Sequence, residues 1–69
     1  MIQGKWNEGR YRWSTLDGRY ALERVKPTTT FDPGSWNVLS VIAGRETVIA
    51  NRERFSEARR KLAEEVARA

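Results

Sequence analysis

Of the six cations in the first 26 residues, five, Lys5, Arg10, Arg12, Arg19 and Lys26, are candidates for ligand contact, and two of these alternate with aromatics in the run Arg10-Tyr11-Arg12-Trp13-Ser14. A guanidinium is a planar fork of donors that matches a phosphate or the edge of guanine with two parallel hydrogen bonds. Successive side chains of a strand point to opposite faces, so Arg10, Arg12 and Ser14 share one face while Tyr11 and Trp13 share the other. A return strand through Asp17-Gly18 adds Arg19 and Glu23 to the arginine face. Such a face is either a solvated domain surface or a surface for a polyanion, with Lys5, Arg10, Arg12, Arg19 and Lys26 as the groups that would meet phosphates.

Catalysis finds little support in the same residues. The chain has no histidine and no cysteine, which removes the commonest general base, the thiol nucleophile, disulfides and the usual zinc ligands. Glu64 and Glu65 are adjacent on a helical stretch and diverge by about 100°. Asp17, Asp32 and Glu46 lie in or beside turns, where carboxylates commonly hold the local backbone. The five glycines stand singly, so no glycine-rich phosphate loop is present. The expectation is a non-enzyme with no catalytic residue, no cofactor and no metal.

The formal charge of +4 is unevenly placed. Residues 1–26 hold six Lys/Arg against three Asp/Glu, residues 27–51 one against two, and residues 52–69 six against four, giving +3, −1 and +2. A basic segment raises the local concentration of nucleic acid. Sixty-nine residues make one small core of marginal stability, which a homodimer would supplement. No charged-then-apolar leader opens the chain, and its longest apolar run, Val38 to Ala43, is broken by Ser40. The expectations are therefore no signal peptide, no membrane span and a cytoplasmic location.

The cations must be positioned by a hairpin. Asp17-Gly18 predicts a two-residue turn with φ > 0 at both positions, and Leu16 opposite Arg19 then sets Thr15 against Tyr20, Trp13 against Leu22 and Arg12 against Glu23. The prolines in Lys26–Ser35 predict a loop. Strands are expected at about 9–15, 20–26, 36–43 and 46–50, the last two joined with Gly44 as first turn residue and Val41 facing Val48. Phe55, Ala58, Leu62, Val66 and Ala69 form a helical stripe on a helix at about 55–68, capped by Ser56 or, from an earlier start, by Asn51. Glu57–Lys61, Arg60–Glu64, Lys61–Glu65 and Glu64–Arg68 are opposite charges one turn apart on its outer face. The helix stripe should cover the sheet face of Tyr11, Trp13, Tyr20 and Leu22, with Trp6 either a lid on this core or an exposed aromatic. The fold class is α+β, a three- to four-stranded antiparallel β-meander packed against one C-terminal α-helix in a single domain, residues 1–69.

The order of hairpin, third strand and C-terminal helix, with Gly9-Arg10-Tyr11-Arg12-Trp13 and Asp17-Gly18-Arg19-Tyr20 in front, resembles the small DNA-binding domain at the N-terminus of tyrosine-type phage integrases. The helix start Phe55-Ser56-Glu57-Ala58-Arg59 is similar to that of short orphan proteins of actinobacteriophages and their hosts. The integrase resemblance implies a sheet face entering the major groove of DNA, with Arg10, Arg12 and Arg19 on the matching positions; the possible fourth strand departs from it. The functional expectation is a small basic nucleic-acid-binding accessory protein, DNA first and possible phage origin included. The alternative is a protein-interaction module that docks through a sheet edge or an aromatic patch. Because the turn requires positive φ at Gly18, Gly18→Val is expected to cost more than about 1 kcal/mol in thermal or denaturant unfolding.

Overall fold

The computed structural model describes residues 2–26 and 34–68. Five strands, β1 (Gly4–Trp6), β2 (Arg12–Thr15), β3 (Tyr20–Val25), β4 (Ser35–Ile42) and β5 (Arg45–Arg52), precede one helix, α1 (Phe55–Arg68). The strands form one antiparallel sheet in chain order, β1-β2-β3-β4-β5. Of the loop expected over Lys26–Ser35, residues 27–33 lie outside the described residues, as does Ala69, while Ser35 already belongs to β4.

The hairpin register follows from the sequence, with Arg12 opposite Glu23 and Trp13 opposite Leu22. Its turn differs from the expected one. Gly18 has φ +75, whereas Asp17 is not among the residues of positive φ. Four residues, Leu16 to Arg19, make the connection, and the Gly18 amide donates to the Thr15 carbonyl at 3.0 Å. The Asp17 carboxylate replaces a second positive φ by accepting from the Thr15 hydroxyl at 2.6 Å and from the Arg19 amide at 3.0 Å. The two-residue turn with positive φ at both positions falls instead at Ala43-Gly44, φ +52 and +78. Val41 consequently faces Glu46, not Val48. This shorter connection suits the right-handed twist of the long strands β4 and β5. Farther along β5 a bulge leaves Ile49 without an opposite number, since Leu39 pairs Val48 and Val38 pairs Ala50.

A fifth strand, β1, is added to the expected set. Gly4–Trp6 pairs with β2, Trp6 opposite Trp13. Three residues are too few for an alternating pattern to emerge, and the aromatic in them, Trp6, is partly in solvent.

Helix α1 packs on one face of the sheet. The core is Trp13, Leu22, Val38, Ala58 and Leu62, bordered by Ile2, Tyr20, Trp36, Ala50 and Phe55. The expected stripe therefore holds at Phe55, Ala58 and Leu62, while Val66 is 37% exposed. Tyr11 leaves the expected core face and is 53% exposed. Neither Ser56 nor Asn51 caps the helix. The first helical bond runs from the Ala58 amide to the Arg54 carbonyl at 3.0 Å, because β5 continues to Arg52 and only two residues remain before Phe55 enters the core. Asn51 stays in the strand and donates to Asn37 at 2.8 Å and to Ser35 at 3.0 Å. On the outer face of α1, Lys61 pairs with Glu65 at 3.1 Å, and Arg68 meets Glu65 at 3.4 Å in place of Glu64.

Gly4 carries a packing constraint of its own. A Cβ added there would overlap the Trp13 indole and the Ser14 carbonyl oxygen, so the ring can lie against β1 only where β1 has no side chain. Gly4→Ala is expected to destabilise by about 1–3 kcal/mol, lowering the melting temperature by about 4–8 °C per kcal/mol in a domain of this size. An unchanged melting curve would show that Trp13 does not rest on β1.

Candidate nucleic-acid interface

The cations singled out in the sequence go to different places. Arg12 lies on the sheet face away from α1, where its Nη1 donates to Glu23 at 2.8 Å and its Nη2 donates to Glu46. Hydrogen bonding to Glu46 raises the Arg12 pKa above its usual value against the opposing effect of partial burial, and Glu23 adds to the rise. Glu46 belongs to β5, with β3 and β4 in between, so the sheet must coil strongly for the pair to meet. On that same face Ala21 and Leu39 are almost fully buried, at 1% and 5% exposure. Arg12 thus has two carboxylate partners and little free charge for a ligand. Lys5 is exposed in the edge strand β1, and Arg19 is exposed in the β2–β3 turn.

Arg10 and Lys26 come together by topology. In an antiparallel meander every second connection lies at the same end of the sheet. The β1–β2 turn, the end of β3 and the short link from β5 to α1 share one end, which gathers Arg10, Arg24, Lys26, Arg52 and Arg54 against Glu8 and Glu53 among the described residues. Arg10, Arg24, Lys26 and Arg54 are exposed and have no ion pair among the described residues. Arg52 turns away, donating to the Asn51 carbonyl at 2.8 Å and lining a shallow depression with Glu57, Arg60, Lys61 and Glu64.

Aromatic rings stand among these charges. Trp6 stacks on Phe55 with centroids 4.9 Å apart and meets Trp36 edge-on at 5.8 Å, yet remains 36% exposed. It is both a lid on the core and a partly open ring. Tyr11 lies beside Arg24, whose amide donates to the Tyr11 carbonyl at 2.8 Å, and the register continues the row through Trp36 to Arg52.

The turn that presents Arg10 is held at several points. Arg10 has φ +55, a left-handed conformation that disfavours side chains. The Arg10 amide donates to the Asn7 carbonyl at 3.1 Å, and the Asn7 side-chain oxygen accepts from the amides of Tyr11 and Arg12, both at 3.0 Å. Glycine is the easy residue at such a position, and here an arginine occupies it.

Arg24, Arg54 and Tyr11 join the site without a signal in the sequence pattern. Arg24 and Arg54 are separated in sequence by 30 positions and lie at one end of the sheet only because the end of β3 and the β5–α1 link fall there, whereas Tyr11 alternates with Trp13 and so reads as core. At the opposite end an open groove of about 1050 Å³ is lined by residues including Ile2, Leu16, Tyr20, Val41, Ile42 and Val66. Leu16 and Ile42 there are 63% and 73% exposed. No group of three or more potential metal ligands occurs among the described residues, and none of their helices is long and apolar enough to cross a membrane. No protein-family model, curated protein or solved structure matches the chain.

Beside Arg19, the Asp17 carboxyl is held below its usual value by the Thr15 hydroxyl first and the Arg19 amide second. A depressed carboxyl pKa contributes stability above its unfolded value, near 3.9, that is lost as pH falls through the folded value. An NMR titration is expected to place Asp17 below about 3.9, with the Arg19 amide shift moving in step.

Proposed function

We propose that this chain is a small non-enzymatic nucleic-acid-binding accessory protein whose contact surface is the sheet end formed by Arg10, Arg24, Lys26 and Arg54. The observation that carries this reading is the αL arginine. A non-glycine residue in that region costs of order 1–3 kcal/mol and persists where its surroundings over-determine it; here the Asn7 side chain is committed to doing so. What the strain secures is a guanidinium with no ion-pair partner among the described residues, next to three further unpaired cations. A phosphate backbone is the ligand whose repeating negative charge fits such a cluster, and neutralising it releases counterions. Arg19 and Lys5 lie apart from the cluster and add long-range attraction.

A protein-interaction module is the second reading, favoured by the exposed Leu16 and Ile42 on the groove at the opposite end. Exposed apolar rims of this kind mark partner surfaces.

Arg10→Gly separates folding from binding. It is expected to melt at or above the parent temperature, because glycine accepts φ +55 without strain, and to bind labelled DNA more weakly at low salt. Arg24→Ala with Lys26→Ala should flatten the log–log salt dependence by about 0.9 for each phosphate that is no longer neutralised. Arg12→Ala is expected to change affinity less than Arg10→Gly. Absence of binding by the parent at low salt would hand the function to the interaction-module reading.

A further inference from the structure

Resting on the nucleic-acid reading, the geometry points to a single strand as the ligand: we propose that bases stack on Tyr11 and on the open rim of Trp6 while Arg10, Arg24 and Lys26 hold the flanking phosphates. The choice between duplex and single strand turns on what the rings and the arginines present. A duplex hides its base faces and offers phosphates and groove edges, so a duplex-binding sheet needs free arginines on a broad outward face. On the outward face of this sheet Arg12 is committed to Glu23 and Glu46. A single strand offers base faces, and it is met by aromatic rings set among cations, a combination that tolerates any base because every base has a π-face.

The sheet end has that combination. Tyr11 is 53% exposed and makes no ring contact with another aromatic among the described residues, unlike Trp6, Trp13, Trp36 and Phe55, which pack on one another. Its ring lies against Gly9, where an added Cβ would come within 2.9 Å of Cδ1 and 3.1 Å of Cε1. The bare backbone of Gly9 therefore seats the ring, and Asn7 fixes the Tyr11 amide. An exposed tyrosine with a seated ring and an anchored backbone has given up much of the freedom that binding would otherwise remove. Trp6 is on the neighbouring strand and held by Phe55 at 4.9 Å. Arg10 precedes Tyr11 in sequence, Arg24 lies across from it, and Lys26 is two residues farther on, so phosphates on either side of a stacked base have a cation within reach.

The test compares an oligo(dT) of about 12 nucleotides, within the footprint of a small single-strand-binding domain, with an oligo(U) of the same length and with the oligo(dA)·oligo(dT) duplex. Each is followed by fluorescence anisotropy across a salt series on the full chain. Tighter binding of either single strand than of the duplex supports the proposal, and the relative affinities of oligo(dT) and oligo(U) identify DNA or RNA as the preferred source. Tyr11→Ala should weaken single-strand binding about 5- to 150-fold with an unchanged salt slope, and Tyr11→Phe should retain affinity because stacking does not need the hydroxyl. Gly9→Ala, which unseats the ring without removing it, should lower the affinity by a smaller factor, and amide dispersion in each variant shows that the fold is intact. Duplex binding equal to or tighter than single-strand binding, or Tyr11→Ala indistinguishable from the parent, overturns the single-strand proposal and leaves nucleic-acid binding standing. Failure of all three probes at low salt overturns both.

Discussion

The seat of Trp13 is the constraint on which this small structure depends. Its indole rests on β1 because Gly4 has no side chain, faces Leu22 across the hairpin, takes the Phe55 ring edge-on at 6.5 Å and lies under the Arg59 guanidinium at 5.0 Å. Arg59 also donates to the Ile2 carbonyl at 3.0 Å, tying the N-terminal segment to the helix that covers it. One ring thereby joins the edge strand, the hairpin and α1. Burying a tryptophan removes about 150–250 Å² from water, an upper bound of about 4–6 kcal/mol. That is of the order of the whole stability of a domain this size.

The two faces of the sheet are stabilised by different means. The helix face is apolar, whereas the other relies on a charge network in which Arg12 joins β2, β3 and β5. Arginine suits this position because its fork reaches two carboxylates at once. Its commitment there has a functional side, since the cation most conspicuous in sequence is used to shape the sheet. The cations at one end of the sheet, Arg10, Arg24, Lys26 and Arg54, are by contrast left without an ion pair among the described residues.

Much of the sheet was legible from local pattern. The register of the hairpin followed from Asp17-Gly18 and the alternation around it, and the helix from the spacing of Phe55, Ala58 and Leu62. What escaped was decided by distant residues. β1 is too short to show a period, and it pairs where it does only because Gly4 fits under Trp13. The Ala43-Gly44 turn is imposed by the twist of two eight-residue strands against the preference of alanine. The Arg12–Glu46 pair spans 34 positions, which no local pattern encodes. The candidate site was legible in residue type and in part by position: Arg10 and Lys26 belong to the cluster, while Arg24, Arg54 and Tyr11 required the topology.

The unpaired Ile49 bears on how the protein keeps its own company. β5 is a long outer strand whose free amides and carbonyls would serve as a template for further strands. A stack of identical strands needs the same spacing repeated in every copy, with matching side chains interlocked. The extra residue interrupts that spacing in mid-strand, and Arg45, Glu46 and Arg52 put charge at both ends of the segment. A chain with Val48 and Ile49 in its outermost strand thus carries, in the irregular spacing and the flanking charges, two features that oppose the pairing of further strands on that edge.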